Sequence, residues 1–449
     1  MSARRALFDL KVRLAGGRPY AEFLASSGAA ENSTPHELLA FQARQADHLV
    51  RYAAESTAWY RDRIGSFLQR DLTDPAVFEQ IPILEKEDLR DHYDDLLARN
   101  SRATRTAIAR TGGSTGVPLK VLKDFSVRPA TLTWRLLGWW GVDPSDNSAS
   151  IERLPWHGWR SAANRAFWWP TRKINVDAGV MTPERMAEFA RAVQRIKPRV
   201  ISGYAASLHE YALAVEKNGW QIPAPQALST TAAPLTRVQT ADIERIFGAP
   251  TYDAYRAAEL SLIAGQCEHR QGMHIMADHK LLEVVDAAGR RVPDGQPGEI
   301  VVTDLMNHAQ PLIRYRLGDV GVIDTEPCRC GRPFPVLKSL LGRSNDVLRT
   351  PKGSVSAYSF ASIFSNNPAI RQYQIHQQSD YSLILRVVPS STSVTVNHLE
   401  TALAALAHEF NGDLPVRAEI VSEIVHIRGK QKSIVSEAPA PDAPDPTPT

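Results

Sequence analysis

The chain has 449 residues, of which 43% are hydrophobic and 22% charged, close to ordinary globular usage and long enough for more than one compact body. Its formal net charge is +3, and Lys and Arg are interleaved with Asp and Glu, so no basic patch marks a nucleic-acid or membrane partner. Three cysteines are too few for a disulfide framework, and no apolar run approaches the length of a membrane span. The expectation is a cytoplasmic protein, monomer or homodimer.

The opening segment MSARRALFDLKVRLAGGRPY is basic and partly apolar. Lys11 and Arg13 interrupt it, so it lacks the unbroken apolar core of a signal peptide. Residues 36–54 carry Leu38, Leu39, Phe41, Leu49, Val50 and Tyr52 among polar residues, and Pro35 stands at a starting position, which predicts an amphipathic helix. Residues 183–197 and 236–247 read as further helices behind Thr-Pro and Pro-Leu-Thr start signals. The β-branched runs 199–202, 281–286, 299–303 and 320–324 read as strands. Helices alternating with short apolar strands predict an α/β layered core.

The texture changes at GRSNDVLRTPKG, residues 342–353. Beyond it, strand-like 383–388, helix-like 398–410 and strand-like 417–422 fit a small α/β domain. The tail after Glu437, APAPDAPDPTPT, has too little apolar surface to order itself and is expected to be disordered. The predicted organisation is a large domain over 1–342, a small one over 343–436, and the tail 437–449.

The most informative stretch is TGGSTGVPLK, Thr111 to Lys120. Gly112, Gly113 and Gly116 permit tight turns, and Thr111, Ser114 and Thr115 add hydroxyls to main-chain N–H groups, a combination able to wrap phosphate oxygens. It lacks the terminal G-K-[ST] of a Walker loop, and alone it also fits a plain connection. Downstream, in order, come YDAYRAAE (252–259), PLIRYRLGDVG (311–321), GRSND (342–346) and IRGKQKSIVS (427–436).

Together these resemble the ordered motifs of adenylate-forming enzymes: acyl-CoA synthetases, adenylation domains and luciferases. The match is best to the phenylacetate–CoA ligase branch and its capsular-polysaccharide-biosynthesis relatives. AWYRDRI (58–64) and IPILEKEDLRDHYDDLL (81–97) extend it into the front half. The resemblance implies a mixed α/β fold with a large multi-layered N-terminal domain and a smaller mobile C-terminal one. It also implies activation of a carboxylic acid with ATP and Mg²⁺ as an acyl-adenylate, then transfer to a thiol. Coenzyme A is the default acceptor; a carrier protein, an amine or a hydroxyl would leave the same motifs.

Carried onto this sequence, the resemblance assigns the phosphate loop to Thr111–Gly116. Asp253 and Tyr255 would flank adenine, and Glu259 would help hold Mg²⁺. Asp319 would accept from the ribose hydroxyls with Arg343 assisting, Asn345 would mark the hinge, and Lys430 would act on the carboxylate and α-phosphate. Three departures stand out, the first being Asn345, which stands where an acidic residue is common. Arg256 and Ala258 replace a Gly and a hydroxyl residue, which keeps a catalytically weakened relative in view. Lys432 stands close enough to Lys430 to serve in its place.

Cys267, Cys328 and Cys330, with His269 or His274, offer three thiolates and an imidazole, the donor set of a closed structural zinc site; free buried thiols are the alternative. Some relatives in the resembled branch carry such a site, and His274 is favoured because its longer loop closes more easily. Seven of the nine tryptophans lie between Trp134 and Trp169, a pattern usual for core packing. By resemblance, an aromatic-lined pocket for an aryl or apolar acid is expected near Trp139, Tyr204 and Ala232.

Overall fold

A computed structural model describes residues 3–101, 105–110, 119–125, 130–153, 163, 166–343, 347–350, 353–356, 363–410, 412–424 and 433–438. By contacts the chain divides into two units. The first comprises Met1–Asp146, Trp168–Thr171 and Tyr252–Leu340; the second comprises Asn147–Phe167, Arg172–Thr251 and Leu341–Thr449.

In the first unit the opening segment is helical over Ala3–Glu31, an element not assigned from the sequence. Phe8 and Val12 pack against Trp134 and Trp168, so the apolar residues among its charges form a docking face. The next helix, Pro35–Ser56, starts at a capping box in which Thr34 and Glu37 bond reciprocally, with Pro35 in the first turn. Leu38, Leu49, Val50 and Ala53 supply its buried stripe.

The main sheet of this unit runs in the order Lys280–Val285, Gly298–Asp304, Tyr315–Ile323, Val336–Arg343, Met273–Ile275, Ser261–Gly265, Thr251–Ala257. The first three strands pair antiparallel in succession, as do the last four. Apart from it stands the hairpin Thr106–Arg110 with Lys120–Asp124. Expected strands appear, but 320–324 is only the end of a longer strand. That strand holds a bulge. Glu299 pairs with Val320 and Val301 with Arg316, so Leu317, Gly318 and Asp319 face Ile300 alone. Gly318 sits at φ 73, a conformation glycine adopts without strain, and the bulge re-aims the residue after it.

The second unit contains the parallel strands Lys173–Asp177, Ser148–Glu152, Val200–Tyr204 and Ala227–Thr231, side by side in that order. Parallel strands need crossovers, and the helices Pro183–Ile196 and Ala205–Asn218 lie between strands in sequence, as such units require. Pro183–Ile196 starts at Thr182, and Arg237–Phe247 starts at a Thr236/Gln239 capping box; both agree with the sequence signals. Ile151, Ile201, Leu208, Tyr211, Leu228 and Phe247 form the core.

Also in this unit, Ile370–Gln377 pairs antiparallel with Leu383–Pro389, and both have parallel outer neighbours, Ile434–Ser436 and Val416–Ile420. The helix Glu400–His408 adds Ala402 and Leu406 to the core of these strands. This is the strand–helix–strand pattern read from 383–422.

Candidate nucleotide and metal sites

Tyr255 and Asp319 are 64 residues apart and meet in the first unit. The Tyr255 hydroxyl donates to Asp319 Oδ2 at 2.6 Å, with both side chains buried. That length is typical of a hydroxyl bonded to a carboxylate, the stronger kind of hydrogen bond. Tyr255 therefore orients the carboxylate expected to meet ribose, a task the sequence reading did not give it. Asp253 lies two residues earlier on the same strand, its backbone N–H bonded to Gln266 Oε1 at 2.8 Å.

Glu259 sits in the turn between Thr251–Ala257 and Ser261–Gly265 and is 7% exposed. The Tyr315 hydroxyl donates to its Oε1 at 3.4 Å. A buried carboxylate carrying one long hydrogen bond fits a hard, oxygen-preferring cation. Arg256, the departure before it, bonds through its guanidinium to Thr133 Oγ1 at 3.1 Å.

Lys123 was not singled out in the sequence. It lies on Lys120–Asp124 with its side chain buried, and its ammonium donates to Ala258 O at 3.1 Å and to Ser261 Oγ. Burial lowers its pKa to about 8, against the pull of Asp304 and Glu259. No sequence signal distinguishes it from a surface lysine. Thr111–Gly116, Asn345, Lys430 and Lys432 lie outside the described residues, as does the tail beyond residue 438. Arg343 ends the strand Val336–Arg343 and is exposed.

Cys267, His274, Cys328 and Cys330 converge in the first unit, one donor atom from each lying within 4.8 Å of the others. Cys267 Sγ is 3.7 Å from Cys328 Sγ, and Cys330 Sγ is 3.2 Å from His274 Nε2. A tetrahedron with metal–ligand bonds of about 2.0–2.3 Å has edges of roughly 3.3–3.8 Å, so the four donors are nearly at ligating separation. His274 Nδ1 is 3.2 Å from Phe334 O; donating there leaves the Nε2 lone pair facing the thiols, the usual support of a ligating imidazole. His269, the other candidate, is exposed and outside the cluster. Gly272 closes the turn between Cys267 and His274 at φ 80.

Burial pushes the Cys267 thiol up to about 12. At Cys330 burial also pushes upward, but hydrogen bonds with Arg332 outweigh it and hold the thiol below its ordinary value. Were these thiols to ionise together, a positive centre would be needed, which a divalent metal would supply.

Trp139, expected to line an acid pocket, packs in the first unit. Its ring lies 5.4 Å from His274 and 5.9 Å from Phe334, the Arg332 guanidinium stands over it at 4.9 Å, and its indole N–H donates to Glu31 at 3.1 Å. It is a wall of the Cys/His cluster, the packing role usual for tryptophan. Tyr204 and Ala232 belong to the second unit, at the carboxyl ends of adjacent parallel strands, where Tyr204 pairs in register with Thr231. Ligands of open α/β sheets bind outside such ends. Ala232 adopts φ 78, an unusual conformation for a residue with a Cβ and one that gathers at functional sites.

No family model matches the chain. A phenylacetate–coenzyme A ligase of Thermus thermophilus is 29% identical over 339 residues, spanning 70% of this chain and 72% of the relative. Protein CapK of Staphylococcus aureus is 22% identical over 418 residues, 88% of each chain. Among solved structures, 2-hydroxyisobutyryl-CoA ligase in its postadenylation state, bound to an acyl-AMP, superposes with a TM-score of 0.71 at 21% identity, covering 88% of this chain and 89% of that one. The chain thus has the fold of the adenylate-forming enzymes and is a relative of phenylacetate–CoA ligases and of CapK.

Proposed function

We propose that the protein activates a carboxylic acid with ATP and passes the acyl group to a thiol, coenzyme A being the acceptor. The observation that carries this reading is that one unit holds both a buried Asp319, oriented by Tyr255, and a buried Glu259, within a chain related to CoA ligases. In the first step a carboxylate oxygen attacks the α-phosphorus, the bond to the β-phosphate oxygen breaks, and pyrophosphate leaves. In the second the thiol sulfur attacks the acyl carbon, AMP leaves, and the thiol proton passes to solvent.

Two anions meet in the first step, so positive charge must offset their repulsion. Glu259 would help hold the magnesium bound with ATP, which would supply part of that charge. Lys430 supplies the rest from the 343–436 domain, which then swings about Asn345 to admit the thiol. Thr111–Gly116 wraps the β- and γ-phosphates, Asp253 lies beside adenine, and Arg343 supports Asp319 at the ribose. Residues 1–342 hold ATP and acid. Tyr204 and Ala232 line the acid's side, because strand ends and strained backbone mark binding positions. Cys267, His274, Cys328 and Cys330 would hold a zinc whose role is structural, since four protein donors would leave no position for substrate.

The test is acid-dependent exchange of labelled pyrophosphate into ATP over a panel of aryl and aliphatic acids. Exchange with one acid class that collapses in Lys430→Ala is expected. No exchange with any panel acid, by a protein that also fails to bind ATP, refutes the reading.

A further inference from the structure

We propose that Lys123 is a positioning residue for Glu259, fixing the turn that presents this carboxylate to the divalent cation of bound ATP; the inference rests on the function proposed above. Lys123 shares the inward face of its strand with Val121, which is fully buried, and a lysine there is costly unless its ammonium has partners. A methionine would fill similar space without that cost. The ammonium is accounted for by what it holds.

Its two partners, Ala258 O and Ser261 Oγ, bracket Glu259 on either side of the turn. Ser261 adopts φ 64, a left-handed conformation that a residue with a Cβ keeps only when its surroundings impose it. Leu260, fully buried, ties the turn to the core of this unit. The neighbouring carboxylate of Asp304 is already paired with Lys280, so Lys123 is not needed to neutralise it. It attracts the Glu259 carboxylate through space, but its hydrogen bonds go to Ala258 O and Ser261 Oγ, while Tyr315 donates to Glu259 Oε1. Lys123 thus fixes the backbone around the carboxylate and leaves the carboxylate itself for a cation.

The experiment measures binding of ATP by calorimetry, with excess Mg²⁺ and again in EDTA, for the full chain and for Lys123→Met, Lys123→Arg and Glu259→Gln. Lys123→Met is expected to weaken Mg²⁺·ATP about tenfold, the worth of one charge-assisted hydrogen bond. Binding in EDTA should move less than twofold, and Lys123→Arg should recover part of the loss. Ser261→Gly removes one partner of the ammonium and relieves the strained φ, so it serves if Lys123→Met fails to fold; it should show the same selective loss, smaller. Unchanged Mg²⁺·ATP binding in Lys123→Met, or in Ser261→Gly, beside a weakened Glu259→Gln overturns the inference. An unchanged Glu259→Gln, or a wild type that does not bind Mg²⁺·ATP, strikes the reading beneath it.

Discussion

Replacing Tyr255 by Phe removes one oxygen atom and tests how the ribose is recognised. The bond from that hydroxyl to Asp319 is 2.6 Å long, between side chains 6% and 9% exposed. Bonds to charged groups contribute about 1.5–3 kcal/mol net, equivalent to roughly 10–150-fold in an equilibrium constant. The bond exists before nucleotide arrives, so only the part that holds the carboxylate in its binding orientation enters ATP affinity. We expect ATP to bind Tyr255→Phe about tenfold more weakly, near the lower end of that range. The control is ATP lacking its ribose hydroxyls, in 2′- and 3′-deoxy forms. If Asp319 accepts from a ribose hydroxyl, the analogue missing that hydroxyl binds wild type and Tyr255→Phe almost equally. Equal weakening of ATP and both analogues would refute the reasoning, because the mutation would then act on packing rather than on the carboxylate.

Elemental analysis of purified protein should find about one zinc per chain, the capacity of a single four-ligand site; Cys330→Ser should lose it, and a chelator should expose the thiols to a thiol reagent. Gly272→Ala should cost about 1–3 kcal/mol and loosen the same site, since its Cβ would stand 2.7 Å from Leu337 O at φ 80; thermal unfolding with zinc content checks both. Arg135 and Asp278 form a buried ion pair with side chains 4% and 2% exposed, and Asp278→Asn would leave the guanidinium only its longer pairing with the part-exposed Glu31 at 3.3 Å, so it should cost about 3 kcal/mol, the lower end of the range for a broken buried pair, in urea unfolding at neutral pH. Burial pushes the Asp278 carboxyl up, but His279 and Arg135 outweigh it and hold the pKa well below 3.8. The unfolded chain therefore takes up this proton first as pH falls, and the pair's contribution, complete above that value, is lost in stronger acid. The gap between wild type and Asp278→Asn should narrow there.

The local signals reported local things well. Thr182-Pro183 and the Thr236/Gln239 pair start helices because capping is settled within four residues. The three cysteines and His274 were legible because few chemistries use that donor set. Tyr255 and Asp319 were named separately, but their bond, made across 64 residues and aided by the bulge at Gly318, had no trace in spacing. Lys123 was overlooked for the opposite reason: a lone lysine carries no sequence mark of burial, and only its strand's inward face reveals it. That Trp139 packs beside the Cys/His cluster was not legible, because tryptophan abundance says that rings pack, not against what. The helix Ala3–Glu31 was passed over because its charges hide a docking face that needs Trp134 and Trp168 to be seen.

The turn that carries Glu259 also bears on engineering. A buried ammonium at position 123 and a left-handed serine at 261 are the kind of departure that stability selection removes. Glycine at 261 relieves about 1 kcal/mol of backbone strain, and an apolar side chain at 123 avoids the desolvation of a charge. A screen that rewards only heat resistance would collect both changes early and discard the geometry they defend. Libraries built on this chain should hold those two positions fixed, or be sorted on nucleotide binding before they are sorted on heat.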